Sequence, residues 1–255
     1  MPQMSAEWRS NMKITFLGTS HGVPSADRFC SCYMIEAGGK IYLVDAGAPA
    51  AELILRQGGD IYDFRALFTT HVHADHTSGM IHLLSLMNWY YKDSSADFFI
   101  TEQNHIDSTV RWLETSGSGS FSAQRLRMKV PKEGEVYCDE NIKVEYIPTK
   151  HMPNSYAILI TSGESRVLFS GDFSQWLAKD DVPKIIEEDI DLFVCEMAHF
   201  TKDHIAPYLE KCRAKTVAFT HVFPLDKYDD IEGMKGHYSF KILTPNDGDF
   251  IEIEA

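Results

Sequence analysis

No stretch of about eighteen consecutive apolar residues occurs in the 255-residue chain, so no helix is expected to cross a membrane. The opening "MPQMSAEWRSNMKITFLG" lacks the apolar core that a secretory signal needs, and residues 1–11 read as a loose extension before a first strand. Cysteine is scarce. The five are Cys30, Cys32, Cys138, Cys195 and Cys212, an odd number that, without a signal, reads as free thiols in a cytoplasmic protein. The pair in Cys30-Ser31-Cys32 is most simply read as packing near a strand start rather than as a ligand pair. Positive charge is short too, with 24 Lys and Arg against 37 Asp and Glu, a formal charge of −13. Such a balance speaks against gripping a polyanion over the whole surface, and leaves room for a local cationic site made by metal ions. Neither a repeat of roughly 20–50 residues nor a low-complexity tract is present.

What is present looks like one globular domain over residues 1–255, with 44% hydrophobic and 24% charged residues. "KITFLG", "SCYMIEAGG" and "KIYLVDAG" read as strands, the second and third joined at Gly38-Gly39. "APAAELILRQGG" reads as a short helix closed by Gly58-Gly59, "RALFTT" as a strand and "SGMIHLLSLMNWYY" as a helix. Residues 92–140 show less regularity and include the Gly/Ser loop "TSGSGSFS". Strands "IKVEYIPT", "SYAILIT", "RVLFSG", "LFVCE" and "TVAFTH" follow, with helices expected near "KIIEEDI" and "APYLEKC". The tally suggests two sheets between helices, an α/β arrangement of layers.

Four apolar runs end on a residue able to bind a metal: "ALFTTH" at His71, "RVLFSGD" at Asp172, "DLFVCE" at Glu196 and "TVAFTH" at His221. Adjacent strands of one sheet that end this way would line up their side chains along one edge, where sites in layered folds are built. The densest signal is "HVHADH", residues 71–76. In an extended segment His71 and His73 point the same way, while Asp75 and His76 would project toward a second position as the chain turns into a helix. Zinc takes imidazole nitrogen and carboxylate oxygen, usually four groups per ion, so four side chains cannot serve two ions. His151 in "PTKHMPNS", Asp172 and His221 are the candidates to complete the set. His82, His105 and His237 are read as ordinary polar residues.

These blocks in this order resemble the metallo-β-lactamase fold superfamily of metal-dependent hydrolases, a four-layer αββα sandwich. "FLGTSHGVPSADR" with "GKIYLVDAG" is similar, more narrowly, to the ribonuclease Z branch and its phosphodiesterase relatives. The resemblance implies that His71, His73 and His151 hold one divalent ion, that Asp75, His76 and His221 hold a second, and that Asp172 bridges them. It also implies that Asp45 supports a ligand imidazole. Zinc is the default ion, with manganese, iron and cobalt also suited to these ligands. Two divalent ions against two carboxylates leave a positive site that favours a small anionic substrate. Two such ions would supply hydroxide near neutral pH and bind phosphate oxygens, with Asp75 orienting the nucleophile. Glu196, His199 and His204 in "CEMAHFTKDHIAP" are candidates for protonating the leaving group, His199 preferred over His204 because it lies nearer the strand end.

The chain departs from the nuclease pattern between His151 and Asp172, where only a hairpin stands in place of a long RNA-gripping arm. After the last ligand block, the family's Ser-x-Arg-Tyr-like segment becomes the acidic "HVFPLDKYDD". Transfer RNA is therefore not the expected substrate. Hydrolysis of a small phosphodiester is the leading expectation, followed by a carboxylic ester, thioester or lactone hydrolase, and then by a non-catalytic metal-binding protein. A homodimer is compatible with the resemblance. Residues 92–140 are a candidate cover over the site. Trp89, Tyr90, Tyr91, Phe98, Phe99 and Trp112 would supply aromatic contacts there, although core packing is the simpler role for them. His21 and Arg28 are further candidates for substrate contact.

Overall fold

The computed structural model describes residues 11–23, 25–117 and 120–254. The expected loose extension falls almost wholly outside the described residues, as does the middle of the Gly/Ser loop.

The first sheet takes β1 (Met12–Gly18), β2 (Cys32–Ala37), β3 (Lys40–Ala46), β4 (Phe64–Phe68), β5 (Ala96–Phe99) and β6 (Leu126–Lys129). The second takes β7 (Gly134–Cys138), β8 (Lys143–Pro148), β9 (Tyr156–Ser162), β10 (Ser165–Phe169), β11 (Ile190–Met197), β12 (Ala214–Val222) and β13 (Lys241–Leu243). A last strand, β14 (Phe250–Ile253), returns to the first sheet beside β1. The orders are β14-β1-β2-β3-β4-β5-β6 and β13-β12-β11-β10-β9-β8-β7. Helices α1 (Ala50–Arg56), α2 (Ala74–Thr77), α3 (Met80–Trp89) and α4 (Gln103–Thr115) follow strands of the first half, and α5 (Lys202–Leu209) and α6 (Lys227–Met234) those of the second.

Apolar residues fall into three clusters, which is what four layers require. One joins β2, β3 and β4 to Leu53, Ile54, Leu83, Leu84 and Met87 of the helices. A second joins β10, β11 and β12 to Ile205, Leu209, Ile231 and Met234. The third, with Phe16, Tyr42, Phe68, Tyr146, Ile158, Phe169 and Val194, lies between the sheets.

The segment expected to be irregular is in fact structured. Residues 96–138 supply β5, α4, β6 and β7, and so extend both sheets rather than covering the site. Strands β5 and β6 have four residues each, and the alternation in "LRMK" is too short to mark a strand by itself, so parallel pairing with β5 fixes β6. Phe98 and Phe99 are core, while Trp89, Tyr90 and Trp112 are exposed on the outer helices. "KIIEEDI" forms a single 3-10 turn at Lys184–Glu187, because Pro183 precedes it and β11 begins at Ile190.

A buried carboxylate held by two surface cations ties β5 to β6. Asp97, mostly buried, accepts from Arg127 Nε at 2.9 Å and Nη2 at 2.7 Å, and pairs with Lys129 Nζ at 2.7 Å. Burial acts to raise its pKa, but the two cations more than reverse that and hold it below the usual carboxylate value. Asp97→Asn is expected to cost about 1–2 kcal/mol near neutrality. The group's folded pKa is depressed, so its contribution is complete above the unfolded value of about 4 and is lost as pH falls through the folded value. Urea melts of the two proteins should therefore converge as pH falls below the unfolded value of about 4; a gap that stays constant with pH would contradict the assignment.

Candidate metal centre

Strand β4 is buried along its apolar side and stops at Phe68, so Thr69, Thr70 and His71 emerge at its C-terminal end. His73 follows just before α2, a single turn that carries Asp75 and His76. From the facing sheet, β10, β11 and β12 run parallel and end at the same edge, delivering Asp172, Glu196 and His221. The four strand-end residues thus come from two sheets rather than one, because the His71 block closes the first half of the sandwich. His151 arrives on the β8–β9 connection.

One group contains His71, His73, His151 and Asp172, each giving one nitrogen or oxygen within 4.8 Å of the others. His73 Nδ1 lies 3.0 Å from His71 Nε2 and 3.2 Å from His151 Nε2. Bonds of about 2.1 Å to one tetrahedral ion would set ligand atoms roughly 3.4 Å apart, close to that spacing. A second group contains Asp75, His76 and His221. Asp172 stands between the two: Oδ2 is 3.7 Å from both His71 Nε2 and His151 Nε2 and 3.5 Å from His221 Nε2, while Oδ1 is 3.5 Å from His76 Nε2.

The rings of His71, His76, His151 and His221 are held by their other nitrogen. His76 Nδ1 is 2.8 Å from Asp45 Oδ2, whose carboxylate also accepts from Thr70 N and Thr70 Oγ1. His221 Nδ1 meets Ser31 Oγ at 3.0 Å, His71 Nδ1 meets Thr70 Oγ1 at 3.0 Å, and His151 Nδ1 donates to Phe173 O at 3.1 Å. Asp45 and His221 adopt φ of 55° and 51°, a left-handed conformation that costs about 1–3 kcal/mol at a non-glycine residue. Gly171, at φ 57°, precedes Asp172, and a Cβ there would sit 2.8 Å from Thr70 Cβ; the "SGD" spelling follows from that close approach.

The inward-facing atoms tell a different story. His76 Nε2, His221 Nε2 and Asp172 Oδ1 are buried and have no hydrogen-bond partner. An unpaired buried polar atom costs about 1–3 kcal/mol, and three at one point need a common partner. Imidazole lone pairs and carboxylate oxygens are the donor set for divalent transition ions, so the residues fit such a pair of ions. Charge agrees. Burial holds His71 well below its usual pKa and pushes His221 down to about 4, keeping both neutral and able to donate a lone pair. Burial acts the same way on His76, but Asp172 and Asp45 on either side outweigh it and raise that pKa well above its usual value. The site thus demands positive charge where the ions would lie.

Beside this centre, Glu196 is buried and binds Phe173 N, Ala198 N and His199 N, and its Oε1 accepts from His199 Nδ1 at 2.9 Å. The His199 ring lies 4.7 Å from that of His151, with 18% of its side chain exposed. Burial acts to lower its pKa, and the Glu196 bond and charge reverse this, raising it. His204 is engaged elsewhere: its Nδ1 is 2.7 Å from Thr201 Oγ1 in the capping box of α5, and its ring packs near Trp176. His21 lies at the rim, edge-on to His221 and stacked on Phe223. Arg28 is spent on Thr19 Oγ1, Pro245 O and Asn246 Oδ1.

Several supports were not visible beforehand. Asp181, buried in the loop after Asp172, accepts from Lys150 N at 2.6 Å and from Ser174 N and Oγ, tying the His151 loop to the Asp172 loop.

Comparison with known proteins agrees with this geometry. The family model described as Anti-Pycsar protein Apyc1 matches residues 12–241. Ribonuclease Z of Pseudomonas putida (strain W619) is 32% identical over 152 residues, 59% of this chain and 46% of its own length. The chain spans less than half the length of the curated relatives it matches. Among solved structures, the metallo-β-lactamase fold protein YhfI from Bacillus subtilis superposes with a TM-score of 0.77 at 18% identity, covering 95% of this chain and 100% of that one. A diphosphatase from the PhnP family gives 0.69 at 18% identity, covering 96% and 98%. The fold is that of the metallo-β-lactamases.

Proposed function

The chain belongs to the family described as Anti-Pycsar protein Apyc1, and from that membership and the geometry of the centre we propose that it is a dinuclear metal-dependent hydrolase of small phosphodiesters, such as a cyclic nucleotide or an oligonucleotide end. One observation carries the reading: a buried carboxylate, Asp172, lies within 3.5–3.7 Å of histidines of both groups, and its Oδ1, His76 Nε2 and His221 Nε2 have no hydrogen-bond partner. His71, His73, His151 and Asp172 would hold one ion, and Asp75, His76, His221 and Asp172 the other. When bound, two divalent ions would acidify a water molecule and neutralise the oxygens of a phosphate.

The chain's own residues do the rest. Asp75, with 20% of its side chain exposed, is placed to orient the attacking water. Glu196 takes the Nδ1 proton of His199 in a hydrogen bond, which turns Nε2 outward to protonate the departing oxygen. His204 is not given this part, because its ring packs beside Trp176, whereas that of His199 lies 4.7 Å from His151. A small substrate is supported by the β9–β10 connection, which among the described residues is a two-residue turn with no inserted arm, and by the charge of −13.

The test compares bond types on one metal-loaded preparation: bis-p-nitrophenyl phosphate, p-nitrophenyl acetate, a thioester and a lactone. The proposal expects kcat/KM for the diester to exceed that for every acyl substrate, with zinc or manganese. Faster acyl turnover would replace phosphodiester by acyl hydrolysis, and no turnover of any of them by protein holding two ions would favour a binding protein.

A further inference from the structure

Lysine is the wrong residue for the place that Lys227 occupies. It is the first residue of α6, where the helix dipole disfavours a cation by about 0.3–1 kcal/mol, and it stands inside the acidic run "LDKYDD". Its ammonium explains the misfit. Nζ donates to Met197 O at 3.1 Å, Ala198 O at 2.7 Å and Phe200 O at 2.6 Å. These are three of the four carbonyls of residues 197–200, the loop that carries His199. The fourth, His199 O, accepts from Trp176 N at 2.9 Å, and the amides of Ala198 and His199 donate to Glu196. No regular ladder continues through this loop beyond Met197, so side chains and one distant amide hold its backbone. Lys227 holds the largest share.

We propose that Lys227 is a positioning residue for the proton donor: by gathering the carbonyls on both sides of His199 it fixes where the imidazole meets the leaving oxygen. The inference rests on the reading of His199 given above. In the step concerned, a water oxygen bonds to phosphorus, the bond to the alcohol oxygen breaks, and the Nε2 proton moves to that oxygen; the water's proton restores the imidazole. The alcohol oxygen of a nucleotide needs this proton, whereas p-nitrophenolate leaves without one. A loop set even about 1 Å off would therefore slow alkoxide departure by up to about 100-fold and disturb nitrophenolate departure far less.

The experiment measures kcat and KM for 3′,5′-cyclic AMP, the dinucleotide TpT and bis-p-nitrophenyl phosphate with metal-loaded wild type, Lys227→Met, Lys227→Gln, Lys227→Arg and His199→Ala. Lys227→Met is expected to lower kcat on the alkoxide-leaving diesters about 10- to 100-fold, with KM within about threefold, so that the ratio of alkoxide to nitrophenolate turnover falls at least about tenfold. His199→Ala should shift the ratio the same way and further, and Lys227→Arg, which keeps a cation with several donors, should restore most of it. Lys227→Gln carries the test if the methionine variant does not fold. An equal fall on all substrates would make Lys227 merely structural and overturn the inference. The same holds for an unchanged ratio in Lys227→Met and Lys227→Gln beside a shifted one in His199→Ala. No shift in His199→Ala, or wild type that turns over only the nitrophenyl diester, would overturn the proton-donor reading and the inference with it.

Discussion

Asp172→Ala is expected to lower kcat/KM for phosphodiesters by about a thousandfold or more and to leave fewer than two ions per chain. The size follows from position. Most ligand side chains here face one group, whereas Asp172 offers Oδ2 to His71, His151 and His221 and Oδ1 to His76, all between 3.5 and 3.7 Å. Losing it opens both sites at once and removes a negative charge from among four imidazoles. The carboxylate is itself held well below its usual pKa: burial would raise it, but the imidazoles that face it reverse that. Asp172→Asn, which keeps the volume and removes the charge, should behave nearly as badly. Metal content by mass spectrometry with the kinetics checks this; turnover within tenfold of wild type would remove Asp172 from the centre.

Stripping the ions should also weaken the fold. With each site saturated at about 100 times its dissociation constant, mass action contributes roughly 2.7 kcal/mol per ion. For a protein of this size, where 1 kcal/mol moves the melting temperature by about 2–4 °C, chelation should lower it by roughly 10–20 °C. The unpartnered His76 Nε2, His221 Nε2 and Asp172 Oδ1 act in the same direction, since they return to bearing their desolvation uncompensated. Calorimetry with and without a chelator gives the answer, and equal melting temperatures would mean that the cluster holds no ion in the native protein.

How much of this could be read in the chain depends on how local each feature is. "HVHADH" was legible because six adjacent residues deliver four candidate ligands, and periodicity alone fixes which way they point. Asp172 and His221 were legible as ends of apolar runs, and His151 as a histidine just past the strand "IKVEYIPT". The supports were not, because they act across long separations: Ser31 reaches His221 over 190 residues, and Asp181 ties Lys150 to Ser174 through backbone amides that any sequence possesses. Lys227 looked like one charge among acids, since carbonyl acceptors leave no signature in side-chain pattern. Likewise β5 and β6 were hidden because four-residue parallel strands owe their form to neighbours. Only distance from the strand end separates His199 from His204 in the sequence, whereas in the fold the His204 ring lies beside Trp176 and that of His199 beside His151.

The central claim, a two-ion phosphodiester hydrolase, is tested most directly by titrating apoprotein with zinc or manganese while following bis-p-nitrophenyl phosphate. The account predicts that turnover rises as the second ion binds, levels at two per chain, and is lost in Asp172→Ala. Activity complete at one ion per chain, or none with two bound, would contradict it.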